Sequence, residues 1–263
     1  MEFEGKVVLI TGATGGIGEA LVEELSKERC KIAIFARNKD KLEKLSKKVK
    51  KNKSECIFKK CDVTKKTDVK NAVEFTKNKF GRIDVAFLNA GILIPNPIET
   101  FDGSIITKTM EVNFFGTVYF LEYLYPIMKK QDKSVIAVTS TLPDKRGVPG
   151  WGAYGASKAA ISWLMESLRV ESKNNYNISV IAIKPGSVET PMIEDFERKG
   201  SVSSQDAAKK IIKGVKKEKK VIQFPLIQVL ATRISDMFPP FAYDMQNIDM
   251  LKGEGYPEVE EKK

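Results

Sequence analysis

Continuous apolar runs alternate along this chain with segments in which apolar residues recur every three or four positions. The continuous runs are typical of strands that are covered on both faces. They comprise Lys6–Thr11, Lys31–Ala36, Glu55–Val63 (a strand and the residues that follow it), Ile83–Gly91, Ser134–Ser140, Ile178–Gly186 and a short seventh run, Lys220–Phe224. Strands in this alternation need crossover connections, so we predict a parallel sheet.

The intervening segments are predicted as amphipathic helices. Ile17, Leu21 and Leu25 mark the first face, with polar residues between them. The later helices are marked by Leu42, Leu45 and Val49, by Val69, Ala72 and Val73 after a capping Thr64, by Ile106 to Lys129, by Tyr154 to about Lys173, and by a start near Ser204. The whole pattern indicates an α/β fold, a Rossmann-type doubly wound parallel sheet of about seven strands with helices on both faces.

The chain has 263 residues and no linker rich in Gly, Pro or Ser, so we expect one domain over residues 1–263 with a core over about 5–225. Hydrophobic residues make up 42% of the sequence, but no run reaches the length of a membrane span. The N-terminus lacks the pattern of a secretory signal, which favours a cytoplasmic protein.

Histidine is absent, which excludes Ser-His-Asp and Cys-His nucleophiles and most catalytic zinc sites. Proton transfer must therefore use Tyr, Lys, a carboxylate, Cys or water. The odd set of Cys30, Cys56 and Cys61 favours reduced, buried thiols over disulfides, and we expect no metal.

The net charge is +10, mostly from lysine. The lysine-rich runs Lys47–Lys53 and Lys216–Lys220 lack interleaved aromatic residues, so nucleic acid is not the expected partner. A small anionic ligand fits such a surface better.

A glycine-rich turn, TGATGGIG (Thr11–Gly18), joins the first predicted strand to the first helix. Glycines allow a tight turn and a close approach to a pyrophosphate, and the helix N-terminus offers free N–H groups to the anion. At this position the turn predicts dinucleotide binding.

The glycine spacing, Gly12, Gly16 and Gly18, together with the NAG triplet that begins at Asn89 and the YxxxK pair Tyr154 and Lys158, resembles the short-chain dehydrogenase/reductase family. The resemblance covers Lys6 to about Thr190. It implies a cofactor site formed by Gly12, Thr14, Gly16, Ile17, Gly18, Arg37, Asn38, Asp62, Val63, Asn89, Ala90, Gly91, Tyr154, Lys158, Pro185, Gly186, Val188 and Thr190.

The end of the second strand distinguishes the two nicotinamide dinucleotides. An acid there binds a free ribose 2′-hydroxyl, whereas a base accommodates a 2′-phosphate. Arg37 occupies this position with Asn38 beside it and no acid before them, so we predict NADP(H) rather than NAD(H). Alternatively, Arg37 is a solvent-facing side chain, and Asp62 begins a helix instead of contacting the adenine.

Tyr154 and Lys158 lie four residues apart and therefore share one helix face. A tyrosine, with an ordinary pKa of about 10, needs roughly 4 kcal/mol to work near neutrality. An ammonium about 5 Å away supplies roughly 3 kcal/mol at an effective dielectric constant near 20. The resemblance implies that Tyr154 exchanges the proton of the carbonyl oxygen, and that Lys158 lowers the pKa of this tyrosine and binds the nicotinamide ribose.

The resemblance also implies two polar groups near the reaction centre. Asn113 corresponds to an asparagine that holds a proton-relay water, with a buried structural amide as the alternative. The substrate oxygen is oriented by Ser140 or Thr141. Strand register favours Ser140, whereas the commonest family spacing from the tyrosine indicates Thr141, and we prefer Ser140.

These residues predict an NADP(H)-dependent oxidoreductase that interconverts a small-molecule carbonyl and its alcohol. The alternatives are a catalytically silent dinucleotide-binding regulator and a sugar-nucleotide epimerase or dehydratase. Family resemblance implies a homodimer or homotetramer built through the fourth and fifth helices. The identity of the substrate is not encoded in these motifs.

The apolar segment 224–245 extends past the family core. It is interpreted as a helix that covers the core, as the wall of an apolar substrate pocket or a dimer contact, or as a helix at a membrane surface, which Arg233 and the basic charge allow. A substrate lid is predicted near residues 196–210, and a disordered tail over residues 253–263.

Overall fold

Seven parallel strands form the central sheet of the computed structural model, which describes residues 1–52, 54–193 and 200–245. The sheet has the order β3-β2-β1-β4-β5-β6-β9, and the two additional strands β7 and β8 pair with each other. The strands are β1 Val7–Thr11, β2 Lys31–Ala36, β3 Glu55–Lys60, β4 Val85–Leu88, β5 Ser134–Thr139, β6 Ile178–Pro185, β7 Val188–Glu189, β8 Val202–Ser203 and β9 Val221–Phe224. The predicted doubly wound sheet of seven strands is confirmed.

Helices cover both faces of this sheet. They are α1 Gly16–Leu25, α2 Lys39–Lys50, α3 Lys66–Phe80, α4 Gly103–Met110, α5 Gly116–Met128, α6 Gly152–Asn175, α7 Ser204–Lys216, α8 Leu226–Met237 and α9 Pro240–Asp244. The predicted long fourth helix corresponds to α4 and α5, which a π-helical turn over Glu111–Phe115 joins. The predicted start near Ser204 is confirmed, whereas Lys65 rather than Thr64 precedes α3 as its N-cap.

Side chains that alternate along each strand divide the core into two layers. In β1, Val8 and Ile10 belong to the layer beneath α1, α2 and α7, whereas Leu9 belongs to the layer beneath α3, α5 and α6. All three side chains are fully buried. Because both faces of the sheet are covered, the strands read as continuous apolar runs.

Two predicted segments lie partly or wholly outside the described residues. Of the predicted lid near residues 196–210, residues 196–199 lie outside the described residues, and so does the whole predicted tail, residues 253–263. The described part of the apolar extension consists of β9, α8 and α9.

Candidate active site

A cavity of about 690 Å³ opens at the carboxyl ends of the sheet strands. Strands β1, β4 and β5, whose order places them side by side, contribute the ends that form its floor. This is where an open parallel sheet binds its ligands. All the predicted catalytic and cofactor residues line the cavity except Gly18 and Asn113.

The glycine turn lies directly against the end of β4. Gly12 has φ +63°, and a Cβ on it would come within 2.8 Å of the Ala90 Cα atom. Thr11, which sequence reasoning did not single out, holds this junction because its Oγ1 accepts hydrogen bonds from the backbone N–H groups of Asn89 and Ala90 at 3.0 and 3.1 Å. The position of this threonine at the end of the first predicted strand is the sequence feature that could have indicated its role.

Gly18, which was predicted to bind the cofactor, is not part of the cavity wall. A Cβ at this position would lie 2.1 Å from the Gly12 carbonyl oxygen and 3.0 Å from the Asn89 side-chain nitrogen. Gly18 therefore lets α1 pack tightly against the turn, and its contact with the cofactor stays a prediction.

Cations surround the end of β2. Arg37 lines the cavity, and so does Lys41 in the first turn of α2, a residue that the sequence analysis missed. Asn38 is the N-cap of α2, and its Oδ1 accepts a hydrogen bond from the Lys41 backbone N–H at 2.9 Å. Arg37 and Lys41 thus give this end of the cavity a positive charge.

Asp62, just after β3, lines the cavity next to this basic end. Its Oδ1 accepts hydrogen bonds from the Thr64 N–H at 3.1 Å and the Thr64 hydroxyl at 2.8 Å. Burial opposes the charged form, but the bonds from Thr64 and the charges of Lys65 and Arg37 lower the pKa of Asp62. Asp62 is therefore an anion that closes the turn after β3 and remains accessible from the cavity.

Asn113 is fully buried in the π-helical turn. Its Oδ1 accepts a hydrogen bond from the Ile92 N–H at 2.8 Å, and its Nδ2 donates to the Ile92 carbonyl at 3.0 Å and to the Ser157 Oγ at 2.9 Å. The Ser157 hydroxyl donates in turn to the Tyr154 carbonyl at 2.7 Å. The amide thus joins the loop after β4 to the first turns of α6, an arrangement that corresponds to the buried structural amide considered above.

Lys158 extends from α6 to the wall of the cavity and is only 3% exposed. Its Nζ donates a hydrogen bond to the Thr139 carbonyl at 2.8 Å, at the end of β5. Burial lowers the pKa of Lys158 to about 8 because the charged form loses its hydration. The amine therefore changes its protonation state close to physiological pH.

Tyr154 and Lys158 both line the cavity, as the YxxxK pattern predicted. The Lys158 Nζ lies 5.7 Å from the centroid of the Tyr154 ring. Tyr154 is the third residue of α6, where one helical turn separates it from Lys158. This arrangement places a phenol and a cation at one point of the cavity wall.

The two candidate hydroxyls at the end of β5 have different environments. The fully buried Ser140 Oγ donates to the Lys158 carbonyl at 3.0 Å and lies 2.8 Å from the Ser162 Oγ, so α6 already satisfies it. Thr141 lines the cavity, and its hydroxyl has no hydrogen-bond partner among the described residues. Both residues line the cavity. The hydrogen-bonding pattern supports Thr141 as the donor to the substrate oxygen, and the preference for Ser140 stays an untested prediction.

Pro185, Gly186, Val188 and Thr190 line the cavity beyond β6, as the resemblance implied. Gln228 of α8 contacts the same segment, because its Oε1 accepts a hydrogen bond from the Ser187 N–H at 2.8 Å. Its Nε2 donates to the Gly200 carbonyl at 3.2 Å.

The C-terminal extension forms one wall of the cavity. Gln228, Ala231 and Thr232 of α8 are among the lining residues, whereas the opposite face of α8 is exposed. Of the three interpretations, a pocket wall therefore describes the inner face of α8. A purely core-covering helix does not fit its exposed apolar side chains.

The three cysteines are free and buried, and burial raises the pKa of Cys30 to about 12 and that of Cys56 to about 11. In the part of the chain that the structure describes, no cluster of His, Cys, Asp and Glu has the makeup of a metal site. Every helix of residues 1–52, 54–193 and 200–245 is too short or too polar to pass through a bilayer.

A family profile described as short chain dehydrogenase matches residues 6–201. The chain therefore belongs to the short-chain dehydrogenase family of oxidoreductases, which confirms the resemblance given by its motifs. An uncharacterized oxidoreductase of Listeria monocytogenes is 35% identical over 200 residues, which cover 76% of this chain and 81% of the relative.

Two further proteins are similar to this chain over more of its length. A 3-ketodihydrosphingosine reductase of Dictyostelium discoideum is 31% identical, with 94% of this chain and 83% of the relative covered. The solved structure of an alcohol dehydrogenase from Thermococcus sibiricus, complexed with 5-hydroxy-NADP, has a TM-score of 0.76 and 26% identity. That likeness covers 84% of this chain and 95% of the other.

Proposed function

We propose that the protein is an NADP(H)-dependent oxidoreductase that interconverts a ketone or aldehyde and its alcohol. The observation that carries this proposal is the buried Lys158 beside Tyr154 on the wall of a cavity that ends at a glycine turn. Gly12 lets the backbone of the turn pack closely against Ala90 at the end of β4, as the glycine turn of a dinucleotide site requires. When bound, the dinucleotide supplies or accepts the hydride.

Arg37 and Lys41 support the preference for the phosphorylated cofactor. Both line the end of the cavity where the ribose 2′-position would lie, and two cations there offset the charge of a 2′-phosphate.

Tyr154 is the proposed acid in reduction and the proposed base in oxidation, and it exchanges its phenolic proton with the substrate oxygen. Lys158, held by the Thr139 carbonyl, is the cation that stabilises the phenolate. Thr141 donates a hydrogen bond to the same substrate oxygen, because its hydroxyl faces no other described partner.

Asn113 is proposed as a positioning residue. Its side-chain amide is already engaged by Ile92 and Ser157, which leaves little capacity for a relay water on that amide. The water-holding role that the resemblance implied for Asn113 stays a prediction.

The substrate end of the cavity favours an apolar ketone. Its walls carry Leu93, Leu142, Val148, Trp151, Met192 and Ile193. α8 adds a further part of the wall, which lies outside the residues matched by the family profile. The Dictyostelium discoideum reductase, which aligns with nearly the whole chain, acts by its name on 3-ketodihydrosphingosine. We therefore infer a ketone that carries a long apolar chain as the preferred class.

Phe115, in the π-helical turn just before α5, and Trp163 and Val170 of α6 are exposed and support a homo-oligomer formed through these helices. This assembly was expected from the family resemblance.

The test is NADPH oxidation with a panel of ketones and aldehydes of increasing chain length. We expect turnover with NADPH, weaker turnover with NADH, and a falling KM as the apolar chain lengthens. Tight NADPH binding without turnover of any carbonyl would instead indicate the regulatory alternative.

A further inference from the structure

The outward face of α8 is apolar, although it is in contact with solvent. Its exposed side chains recur with helical spacing and so lie on one side of the helix. They are Leu226, Ile227, Leu230, Ile234 and Met237, with exposed fractions between 50 and 84%. Amphipathic helices of soluble domains normally turn such a face inward.

The same surface continues past the end of α8. Phe238, Phe241 and Met245 are 52, 69 and 79% exposed. Together with the five residues of α8 they form what we call the α8–α9 apolar face. Eight large exposed apolar side chains in 20 residues of chain exceed the scattered apolar residues of an ordinary surface.

This face is firmly attached to the rest of the molecule through the loop between β5 and α6. Arg146 donates a hydrogen bond to the Phe238 carbonyl, and its guanidinium lies 5.3 Å from the centroid of the Tyr243 ring. The Tyr243 hydroxyl donates to the Gly147 carbonyl. The apolar face is therefore presented on an ordered support.

The charges around the face are mixed but include accessible cations. Arg233 is exposed beside the apolar stripe, and the Lys145 side chain is 72% exposed. The nearby acids are Asp236, which is largely buried and pairs with Lys145, and Asp244, which is exposed. With the net charge of +10, the molecule as a whole is attracted to a negatively charged surface.

The inner side of α8 lines the cavity through Gln228, Ala231 and Thr232. One helix thus presents its apolar side chains outward and borders the substrate cavity with its other side. Docking of the outward face would hold the substrate cavity within one helix diameter of a bilayer that carries an apolar substrate. This step rests on the proposed function, whereas the docking of the face does not.

We propose that the α8–α9 apolar face docks on a lipid bilayer that contains anionic lipids. A helix on the outside of the domain is convex and needs no complementary groove, which suits the deformable interface of a bilayer. The eight apolar side chains supply the burial, and Arg233, Lys145 and the overall basic charge supply the attraction to anionic headgroups.

The experiment is sedimentation of the full chain with vesicles of phosphatidylcholine, with and without phosphatidylserine. The variant L226Q/I227Q/I234Q removes three outward side chains that do not line the cavity. The matched control I98Q/F101Q replaces two exposed apolar side chains before α4 that belong neither to the cavity wall nor to the α8–α9 apolar face. Thermal unfolding and analytical ultracentrifugation of all proteins report folding and oligomeric state.

We expect the wild type and the control to bind the mixed vesicles, and the triple variant to bind about tenfold more weakly. The triple variant should keep its NADPH oxidation with a short, water-soluble ketone. Vesicle binding without any carbonyl turnover would leave this proposal standing and reject the proposed function.

Three results would overturn the proposal. The first is a wild-type protein that does not sediment with either kind of vesicle. The second is a dimer that the triple substitution dissociates without any change in vesicle binding, because the face would then be an interface between two copies. The third is vesicle binding that appears only after truncation behind residue 245, because the chain's own C-terminus would then cover the face.

Discussion

Lys158 carries its charge on a side chain that is only 3% exposed. Burial lowers its pKa from 10.5 to about 8, so the unfolded chain binds more protons than the folded protein between these two pH values. The free energy of unfolding therefore rises with pH across this window, and the charged lysine costs about 3 kcal/mol at neutral pH.

We predict that Lys158→Met abolishes turnover and yet stabilises the protein at pH 7, by about 1–3 kcal/mol once the lost bond to the Thr139 carbonyl is allowed for. Denaturant unfolding at pH 7 and pH 9 measures this effect. The difference in unfolding free energy between the variant and the wild type should be smaller at pH 9 than at pH 7. If the difference in unfolding free energy between the variant and the wild type is the same at both pH values, the burial of Lys158 does not destabilise the folded protein.

We expect substitution of Thr141 to reduce catalysis and substitution of Ser140 to reduce stability. Thr141→Val is expected to lower kcat/KM by about a hundredfold or more, because it removes a donor to the substrate oxygen. Ser140→Ala should keep most of the activity and lose about 1–2 kcal/mol of stability, because its partners in α6 are left unsatisfied. The reverse pattern in steady-state kinetics would restore Ser140 to the role that strand register suggested.

Arg37 should set the choice of cofactor. We expect Arg37→Asp to raise the KM for NADPH by roughly 10- to 100-fold, because a charge-assisted contact with the 2′-phosphate is lost. The KM for NADH should change little. Steady-state kinetics with both cofactors is the measurement, and equal effects on the two would assign Arg37 to the solvent-facing alternative.

At the scale of elements, Gln228 of α8 forms hydrogen bonds with the segment that follows β6. Gln228 accepts from the Ser187 N–H and donates to the Gly200 carbonyl, which connects both ends of the segment that carries residues 188–199. We predict that Gln228→Leu raises the KM for the carbonyl substrate roughly tenfold, because two hydrogen bonds are lost.

The matched control for Gln228 is Gln223→Leu on β9, an exposed glutamine whose Oε1 accepts a hydrogen bond from Arg233 at 3.4 Å. Its KM values should remain those of the wild type. If both variants behave alike, α8 does not act on the substrate site through Gln228.

The elements differ in how far their sequence predicts them. The strands were predictable because both faces of the sheet are buried, which leaves continuous apolar runs such as Val7–Thr11. The π-helical turn at Glu111–Phe115 was not, because apolar spacing does not distinguish one extra residue per turn within a long helix. The exposed face of α8 was visible only as apolar content, since sequence alone does not tell which side is covered.

At the scale of the whole molecule, the order of the strands in the sheet brings the sequence motifs together at one cavity. The sheet order places β1, β4 and β5 side by side, so residues as distant in sequence as Gly12, Asn89 and Tyr154 meet at one cavity. The motifs predicted this set because each follows a strand or opens a helix. They did not predict Thr11, Lys41 or Gln228, whose contacts depend on loop geometry and on tertiary packing.

The central claim is that the Tyr154 phenol exchanges the proton while the dinucleotide exchanges a hydride. Single-turnover oxidation of NADPH by an accepted ketone, compared between wild type and Tyr154→Phe, tests it most directly. We predict unchanged NADPH affinity by fluorescence titration and a rate of hydride transfer lowered by about 10²- to 10⁴-fold. A Tyr154→Phe variant that binds NADPH and reduces the ketone at the wild-type rate would contradict the account.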